Sequence, residues 1–287
     1  MSVAQAEECM QKAEKKLNKK FDWFGGGNKV ESAQELFQQA AVYYKANNRW
    51  ESAGNAYLRA QECAAKLKCP IDCATYFQDA ALMFKKVNIW KAAECTQKAL
   101  EIRDQSGQIG RSAKLANELA EMFDTAGDMD NAVTWYNKAA DYYRVENSIS
   151  TGNQCRLKVA QFKAIQGYYG EAIETYENVA EQYLDDPLLK SSSTRFFFVA
   201  LLCRLARHDP ASQIQDAFSR YQNMDLQFSA DMREHKFCVK IIAALEEVDV
   251  DAWQEAVNEF TSISPFDELK TSLMEAAVKA LENPSLV

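Results

Sequence analysis

The stretch AAVYYKANNRWESA at residues 40–53 decides the fold, because it recurs forty residues later as AALMFKKVNIWKAA at 80–93. The two copies share their opening alanines, an aromatic residue at the fifth position, and an asparagine and a tryptophan at matching places. Two further copies follow, LAEMFDTAGDMDNA at 119–132 and VAQFKAIQGYYGEA at 159–172. Such self-similarity at a fixed period indicates a repeat architecture built from one supersecondary unit.

Paired alanines twelve residues apart keep the register of the repeat. Small side chains at those points allow two antiparallel helices to approach closely. After the second alanine, the spacing Ala53-x3-Tyr57-x2-Ala60 continues the same helical stripe. This is the tetratricopeptide-like helix-turn-helix pattern, and a period near 40 instead of 34 predicts longer helices. The alanine pairs are 41 and 53, 81 and 93, 120 and 132, and 160 and 172.

Composition favours the same fold class. The chain has only 10 glycines and 5 prolines in 287 residues, against averages of roughly 7% and 5%. From Pro187 onward the repeat fades, although helical periodicity continues. We therefore predict an all-α protein: a tetratricopeptide-like right-handed α-solenoid of antiparallel helix pairs over residues 1–186, followed by a C-terminal helical bundle over residues 187–287. The helices predicted for the bundle are 187–207, 210–223, 229–248, 250–262 and 264–283.

Several functional classes find no support in the sequence. A net charge of −8 argues against nucleic acid as the main ligand. There are two histidines, no H-E-x-x-H and no phosphate-binding loop, and Cys69-x3-Cys73 has no second ligand pair nearby. His235 is interpreted as a surface or half-buried helical residue. We expect no catalytic site, metal, cofactor or small-molecule substrate, and we expect eight reduced cysteines in a cytoplasmic protein.

The segment KKFDWFGGGNK at residues 19–29 places three aromatic residues beside three glycines and several lysines. Its aromatic residues could fold back onto the first repeat, or they could touch a membrane. Burial of a side chain the size of phenylalanine contributes roughly 1.5–3 kcal/mol, and each nearby lysine contributes about 1 kcal/mol against anionic lipid. The second interpretation therefore predicts weak, reversible attachment. Its candidate membrane-binding residues are Lys19, Lys20, Phe21, Trp23 and Phe24.

Charges of opposite sign collect in different parts of the chain. Scattered cations on the repeat helices could hold an acidic rod if they share one surface, although isolated helix charges are usually just solvated. The segment from Ile241 to Leu269 holds eight acids and no lysine or arginine. This asymmetry suggests different partners for the two parts. The candidate cations are Arg111, Lys114, Arg144, Arg156 and Lys158.

With these features in place, the chain resembles the soluble NSF-attachment protein (SNAP) family from about residue 10 to its end. The glycine-tipped aromatic loop, at residues 20–28, stands where the family carries its membrane-contacting loop. Other landmarks follow in the family's order: Asn153-x-Cys155-x-x-Lys158-Val159-Ala160, Asp186-Pro187-Leu188-Leu189-Lys190, Phe228-Ser229 with Arg233-Glu234, and Ser262-Ile263-Ser264.

The resemblance implies an adaptor with no chemistry of its own. Family members bind the assembled four-helix SNARE bundle, several copies to a bundle, and recruit the hexameric ATPase NSF, which pulls the bundle apart. The resemblance also implies a cytoplasmic protein in peripheral contact with anionic membranes, acting in vesicle fusion and intracellular transport. The alternative from another class is a general tetratricopeptide peptide-binding scaffold or chaperone co-factor.

The same resemblance assigns roles to individual residues. Lys114 matches a SNARE-contacting lysine of the family, and Lys158 falls on the basic face of the neighbouring helix. A second family lysine corresponds to Gln154, so that charge is missing here. The acidic stretch Glu246, Glu247, Asp249 and Asp251 resembles the surface that docks NSF. Leu286 is the penultimate leucine that stimulates the ATPase, but Pro284 and Ser285 replace the acids that precede it in the family.

Overall fold

The computed structural model describes residues 2–18 and 26–282, and this part of the chain forms fourteen α-helices and one 3-10 turn, with no strand. The all-α prediction is confirmed. In chain order the helices are α1 Val3–Asn18, α2 Gly26–Ala46, α3 Trp50–Lys66, α4 Pro70–Phe84, α5 Ile89–Gln105, α6 Ile109–Thr125, α7 Met129–Val145, α8 Ile149–Ile165, α9 Tyr169–Leu184, α10 Ser193–Ala206, α11 Ala211–Met224, α12 Arg233–Glu247, α13 Val250–Ile263 and α14 Glu268–Glu282; the 3-10 turn is Lys190–Ser192.

The chain forms two compact units, Met1–Cys155 and Arg156–Val287. In the first unit each helix from α1 to α6 packs against the next helix along the chain, which is the arrangement of a solenoid. The division follows packing, whereas the predicted boundary at residue 187 follows the fading of the repeat. The predicted domain organisation therefore stays a prediction.

Close helix contacts depend on the small residues that the repeat conserves. All eight alanines of the four pairs are at most 5% exposed. At Gly54 in α3 the helices approach too closely even for an alanine, because a Cβ atom at this position would lie 2.7 Å from the ring of Phe84 in α4. Phe84 is only 1% exposed and fills the space that a side chain on Gly54 would take. The α3–α4 contact is therefore as close as a glycine allows.

Most turns of the repeat contain a residue with positive φ. A residue in the left-handed region follows the ends of successive helices at intervals of about twenty residues, which reverses the chain and satisfies terminal carbonyl groups. The predicted breaks at Gly107, Gly127 and Gly167 are such positions, with φ of 67°, 76° and 85°. At the start of α5 the side chain of Asn88 instead accepts hydrogen bonds from the backbone N–H groups of Trp90 and Lys91, each at 3.1 Å. The non-glycine residues with positive φ are Asn48, Lys68, Asn147, His208 and Val248.

The second unit is built around α10, of which twelve of the fourteen residues are buried. This explains the apolar run FFFVALLC at 196–203, which packs on α9, α11 and α14 within the unit. The ring of Phe198 lies 5.9 Å from that of Phe237 in α12 and 5.7 Å from that of Phe260 in α13. A helix that is apolar all round is therefore the core of the unit. None of the described helices combines the length and the apolar character needed to cross a membrane.

Three helices of the bundle begin several residues later than predicted, and ahead of each one an aspartate side chain accepts a backbone hydrogen bond. Before α10, Asp186 accepts a hydrogen bond from the N–H of Leu188 at 2.8 Å. Before α12, Asp225 accepts one from Gln227 at 3.0 Å. Asp267 accepts one from Lys270 at 2.9 Å and caps α14. Such local bonds compete with helical ones at Asp186 and Asp267, whereas the bond of Asp225 lies before the predicted start of α12. The helices start at residues 193, 233 and 268 instead of 187, 229 and 264.

All eight cysteines are free thiols, as expected. Cys69 is exposed and Cys9 is half-buried, while the other six are buried. Burial raises the pKa of Cys95 and of Cys155 to about 11. These thiols therefore stay protonated at neutral pH and pack as small apolar groups.

The Gly54 contact predicts a stability difference between two glycine substitutions. Gly54→Ala should lower the free energy of unfolding by about 1 kcal/mol, because overpacking costs roughly 1–3 kcal/mol and alanine regains about 1 kcal/mol of helix propensity. The matched control is Gly152→Ala in α8, where a Cβ would lie at an ordinary 3.4 Å from Tyr143. The control should be neutral or stabilising in urea unfolding followed by circular dichroism. Equal effects of the two substitutions would contradict the close packing.

Candidate functional site

A groove in the first unit contains two of the predicted cations. Arg111 and Lys114 lie one turn apart at the start of α6, and both side chains are exposed. With Tyr143 and Glu146 from the end of α7 they line an open groove of about 760 Å³. Residues three apart on a helix face the same way, so Arg111 and Lys114 lie together on one surface.

A buried arginine reinforces the positive charge of this groove. Arg103, at the end of α5, is 3% exposed. Its guanidinium donates a 2.9 Å hydrogen bond to the side-chain oxygen of Gln108, which also accepts one from Arg111 at 3.2 Å. Burial and the nearby Arg111 lower the pKa of Arg103. Its other side-chain partners are the oxygens of Thr75 and Gln78, so within the described chain its hydrogen bonds go to neutral groups.

Sequence reasoning missed both Arg103 and Glu146. Arg103 falls on the buried stripe of α5 with Ala99 and Leu100, and a cation on an apolar stripe was the signal that could have identified it. Glu146 gave no such signal. It reaches the groove because Gly110 has no side chain: a Cβ there would lie 2.9 Å from the Glu146 carboxylate. The groove therefore carries one acid beside its cations.

The remaining predicted cations are less closely tied to this groove. Arg144 is exposed, and its guanidinium lies 3.4 Å from Asp141, with both side chains 69% exposed. Such an exposed pair contributes little. Arg156, which is half-buried, and Lys158, which is exposed, both belong to the second unit. A single surface that joins them to Lys114 stays a prediction.

The four predicted acids lie together at the turn between α12 and α13, and all are exposed. Glu246 and Glu247 end α12, and Asp251 stands in the first turn of α13. The Asp249 side chain accepts a 2.9 Å hydrogen bond from the N–H of Ala252, which makes it the N-cap of α13. The stretch is therefore a compact acidic turn, but one of its acids has a structural role.

The helix dipoles separate these acids into two kinds. Acids at a helix N-terminus are stabilising, whereas acids at a C-terminus meet partial negative charge. Asp249 and Asp251 occupy the favourable end of α13, while Glu246 and Glu247 occupy the unfavourable end of α12. Stability of the fold does not explain the glutamate pair, which makes it the better candidate for binding.

Two sets of predicted residues lie outside the described part of the chain. These are the candidate membrane residues Lys19, Lys20, Phe21, Trp23 and Phe24, and the C-terminal Leu286. Their assignments stay predictions.

Comparison with known proteins identifies the family. The family model described as soluble NSF attachment protein, SNAP, matches residues 4–282. The chain belongs to the SNAP family. The human alpha-soluble NSF attachment protein is 35% identical over 284 residues, which cover 97% of this chain and 95% of the human protein. A Dictyostelium discoideum relative of the same name is 36% identical over 274 residues, covering 94% of each chain.

Other SNAP-family relatives include the vesicular-fusion protein SEC17 of Komagataella phaffii, which is 30% identical over 281 residues and covers 95% of this chain and 94% of the yeast protein. The fold is also similar to a signal-transduction ATPase with a tetratricopeptide-repeat sensor from Pyrococcus horikoshii. That structure aligns with a TM-score of 0.50 and 15% sequence identity. The alignment covers 98% of this chain and 44% of the Pyrococcus protein. The family and the tetratricopeptide-like fold inferred from the sequence are therefore confirmed.

The acidic turn yields a prediction that separates capping from binding. Asp249→Ala should lower the free energy of unfolding by about 1 kcal/mol through loss of the N-cap, whereas Asp249→Asn should retain most of it. Glu246→Ala is the matched control and should be neutral or slightly stabilising, because it removes an acid from a helix C-terminus. Thermal unfolding of the three variants measures the order of their stabilities. A loss with Glu246→Ala as large as that with Asp249→Ala would contradict these roles.

Proposed function

We propose that this chain is an adaptor that binds assembled SNARE bundles and recruits the ATPase NSF to take them apart, without chemistry of its own. The observation that carries the proposal is the match of the SNAP family model over residues 4–282. The names of the relatives point the same way, since they are called NSF attachment proteins and a vesicular-fusion protein. The basic groove and the acidic turn suggest where each partner binds.

The groove of Arg111 and Lys114 is proposed as part of the SNARE-binding surface, together with Arg144, Arg156 and Lys158. It is open at the surface and positively charged, which suits an acidic helical rod too long to enter a closed pocket. Arg103 adds charge from below the surface, where screening by salt is weaker. Exposed ion pairs contribute about 0–1 kcal/mol each, so binding requires several of them acting together.

The acidic turn is proposed as the surface that recruits NSF, together with Leu286 at the C-terminus. Glu246 and Glu247 support this role because they stand where the α12 dipole disfavours them. A surface whose charges serve binding more than folding is able to steer a basic partner. Because the acids lie in a single turn, a small basic patch is enough to engage them.

The aromatic segment at residues 20–28 is proposed as a membrane contact, in which Phe21, Trp23 and Phe24 insert beside Lys19 and Lys20. Neither a membrane contact of this size nor a polar contact along one side of a rod is strong alone. Linking them in one chain raises the effective concentration, and the overall affinity then exceeds either part by about two to four orders of magnitude. This favours bundles that stand beside a bilayer.

A charge-reversal experiment tests the SNARE surface. Arg111→Glu with Lys114→Glu should lower the affinity for an assembled SNARE bundle at least about tenfold at 0.1 M salt, because two attractive contacts become repulsive. Lys66→Glu with Lys86→Glu is the matched control: it makes the same change in charge at exposed positions outside the groove. Titration calorimetry and circular dichroism measure affinity and helicity. Undiminished binding of the bundle by the groove variant would refute this surface. If the unmodified protein binds short peptides and does not bind the bundle, a general peptide-binding scaffold would be favoured.

Vesicle co-sedimentation tests the membrane segment. Replacing Phe21, Trp23 and Phe24 by serine should lower binding to phosphatidylserine vesicles several-fold, because the inserted apolar surface is lost. The control is the triple serine variant of Leu188, Leu226 and Ile263, whose side chains are 88%, 84% and 77% exposed. The control removes exposed apolar surface elsewhere and should sediment normally. Equal sedimentation of the two variants would mean that the segment does not contact the membrane.

A further inference from the structure

An apolar pocket in the second unit lies beside the acidic turn. Its volume is about 240 Å³, and apolar side chains from α10, α12, α13 and α14 form its wall. Trp253 and Ala277 are each 2% exposed, and Leu281 is 4% exposed. An unfilled apolar space of this kind lowers stability, because its lining lacks contacts that a filled core would make. Within residues 2–18 and 26–282, no side chain covers this apolar surface.

Two turns with left-handed residues form the mouth of the pocket. His208, with φ of 63°, follows α10, and Val248, with φ of 53°, follows α12; both line the pocket. A β-branched residue in this region is an outlier that persists only where the surroundings impose it. The Nε2–H of His208 donates to the carbonyl oxygen of Ala276 in α14 at 2.9 Å, which ties one turn to the opposite wall. The turn after α10 is therefore fixed to α14 beside the pocket.

The acidic turn borders this pocket along the chain. Leu245, Val248 and Trp253 line the pocket, and the exposed acids Glu246, Glu247 and Asp251 alternate with them along the chain. Part of the apolar lining and a cluster of exposed acids thus come from the same segment. A partner that fits both features carries an apolar group with positive charge beside it.

The size of the pocket limits what enters it. Small-molecule sites usually have volumes of roughly 300–1,000 Å³, so a space of about 240 Å³ suits one side chain better than a whole ligand. Buried apolar anchors surrounded by polar contacts provide most of the affinity at many protein interfaces. The surrounding acids then contribute orientation and association rate more than affinity.

We infer that this pocket takes a leucine- or phenylalanine-sized side chain from a basic surface of the recruited ATPase, so that NSF recruitment depends on an apolar anchor as well as on charge. This inference rests on the proposed function, because that function names the partner. The anchor explains how a small patch of exposed acids, weak by itself in physiological salt, holds a partner in a fixed position.

The test fills the pocket without changing its charge. Ala277→Leu places a larger side chain inside the space, and Ala211→Leu narrows the mouth from the half-buried start of α11. Each should weaken binding to hexameric NSF about tenfold or more, the loss expected when one apolar side chain is no longer buried. Ala243→Leu, exposed on α12 and outside the pocket, is the matched control and should bind normally. Unfolding curves identify the variants that retain the fold, and the mouth variant provides the test if the interior one does not.

Salt dependence separates the anchor from the charges. Filling variants should lose the same factor of affinity at low and high salt, whereas Glu246→Lys with Glu247→Lys should lose most at low salt. If the charge variant loses affinity and both filling variants bind normally, recruitment stands and the apolar anchor is refuted. If neither kind of variant loses affinity, the proposed recruitment surface falls as well. Filling variants that change self-association but not NSF binding would assign the pocket to a second copy of this chain.

Discussion

The close approach of antiparallel helices is the constraint on which the rest of the first unit depends. Two long helices pack along their length only where their facing side chains are small. The paired alanines satisfy this condition, and Gly54 opposite Phe84 takes it to its limit. Because each helix contacts mainly its neighbours in sequence, every contact must be correct for the next repeat to stack. This explains why small residues recur at fixed intervals while the exposed positions vary.

The same architecture determines where binding chemistry is available. Helices that use one face for stacking leave another face to solvent, and short reversing turns place helix ends close to each other. The first candidate surface arises in this way, because Gly110 allows the end of α7 to approach the start of α6 and frames a groove beside Arg111 and Lys114. In the second unit the turn between α12 and α13 exposes Glu246 and Glu247 beside an apolar pocket. Neither surface needs an insertion outside the helical framework.

The charged side chains of the two candidate surfaces differ in their burial and in what makes them unfavourable for folding. Around the groove, Arg103 is buried with neutral partners and its pKa is lowered, so this cation is maintained at a cost to stability. At the acidic turn, Glu246 and Glu247 are solvated, and the cost comes only from the dipole of α12. Both arrangements are unfavourable for folding alone, and both are consistent with charges that serve partners. The adaptor role proposed for this chain requires such surfaces more than it requires a cleft.

The sequence by itself determined the helical class, the forty-residue repeat, the alanine contacts and the family, because periodicity and small-residue spacing are local properties that are visible along the sequence. It also gave the acids of the α12–α13 turn, since they are adjacent in sequence. Only the tertiary structure placed Arg103 beneath the groove, made Asp249 a cap, and lined an apolar pocket with Trp253 and Ala277. Those features depend on which helix faces meet between distant parts of the chain, and a pattern along one helix does not specify its partner.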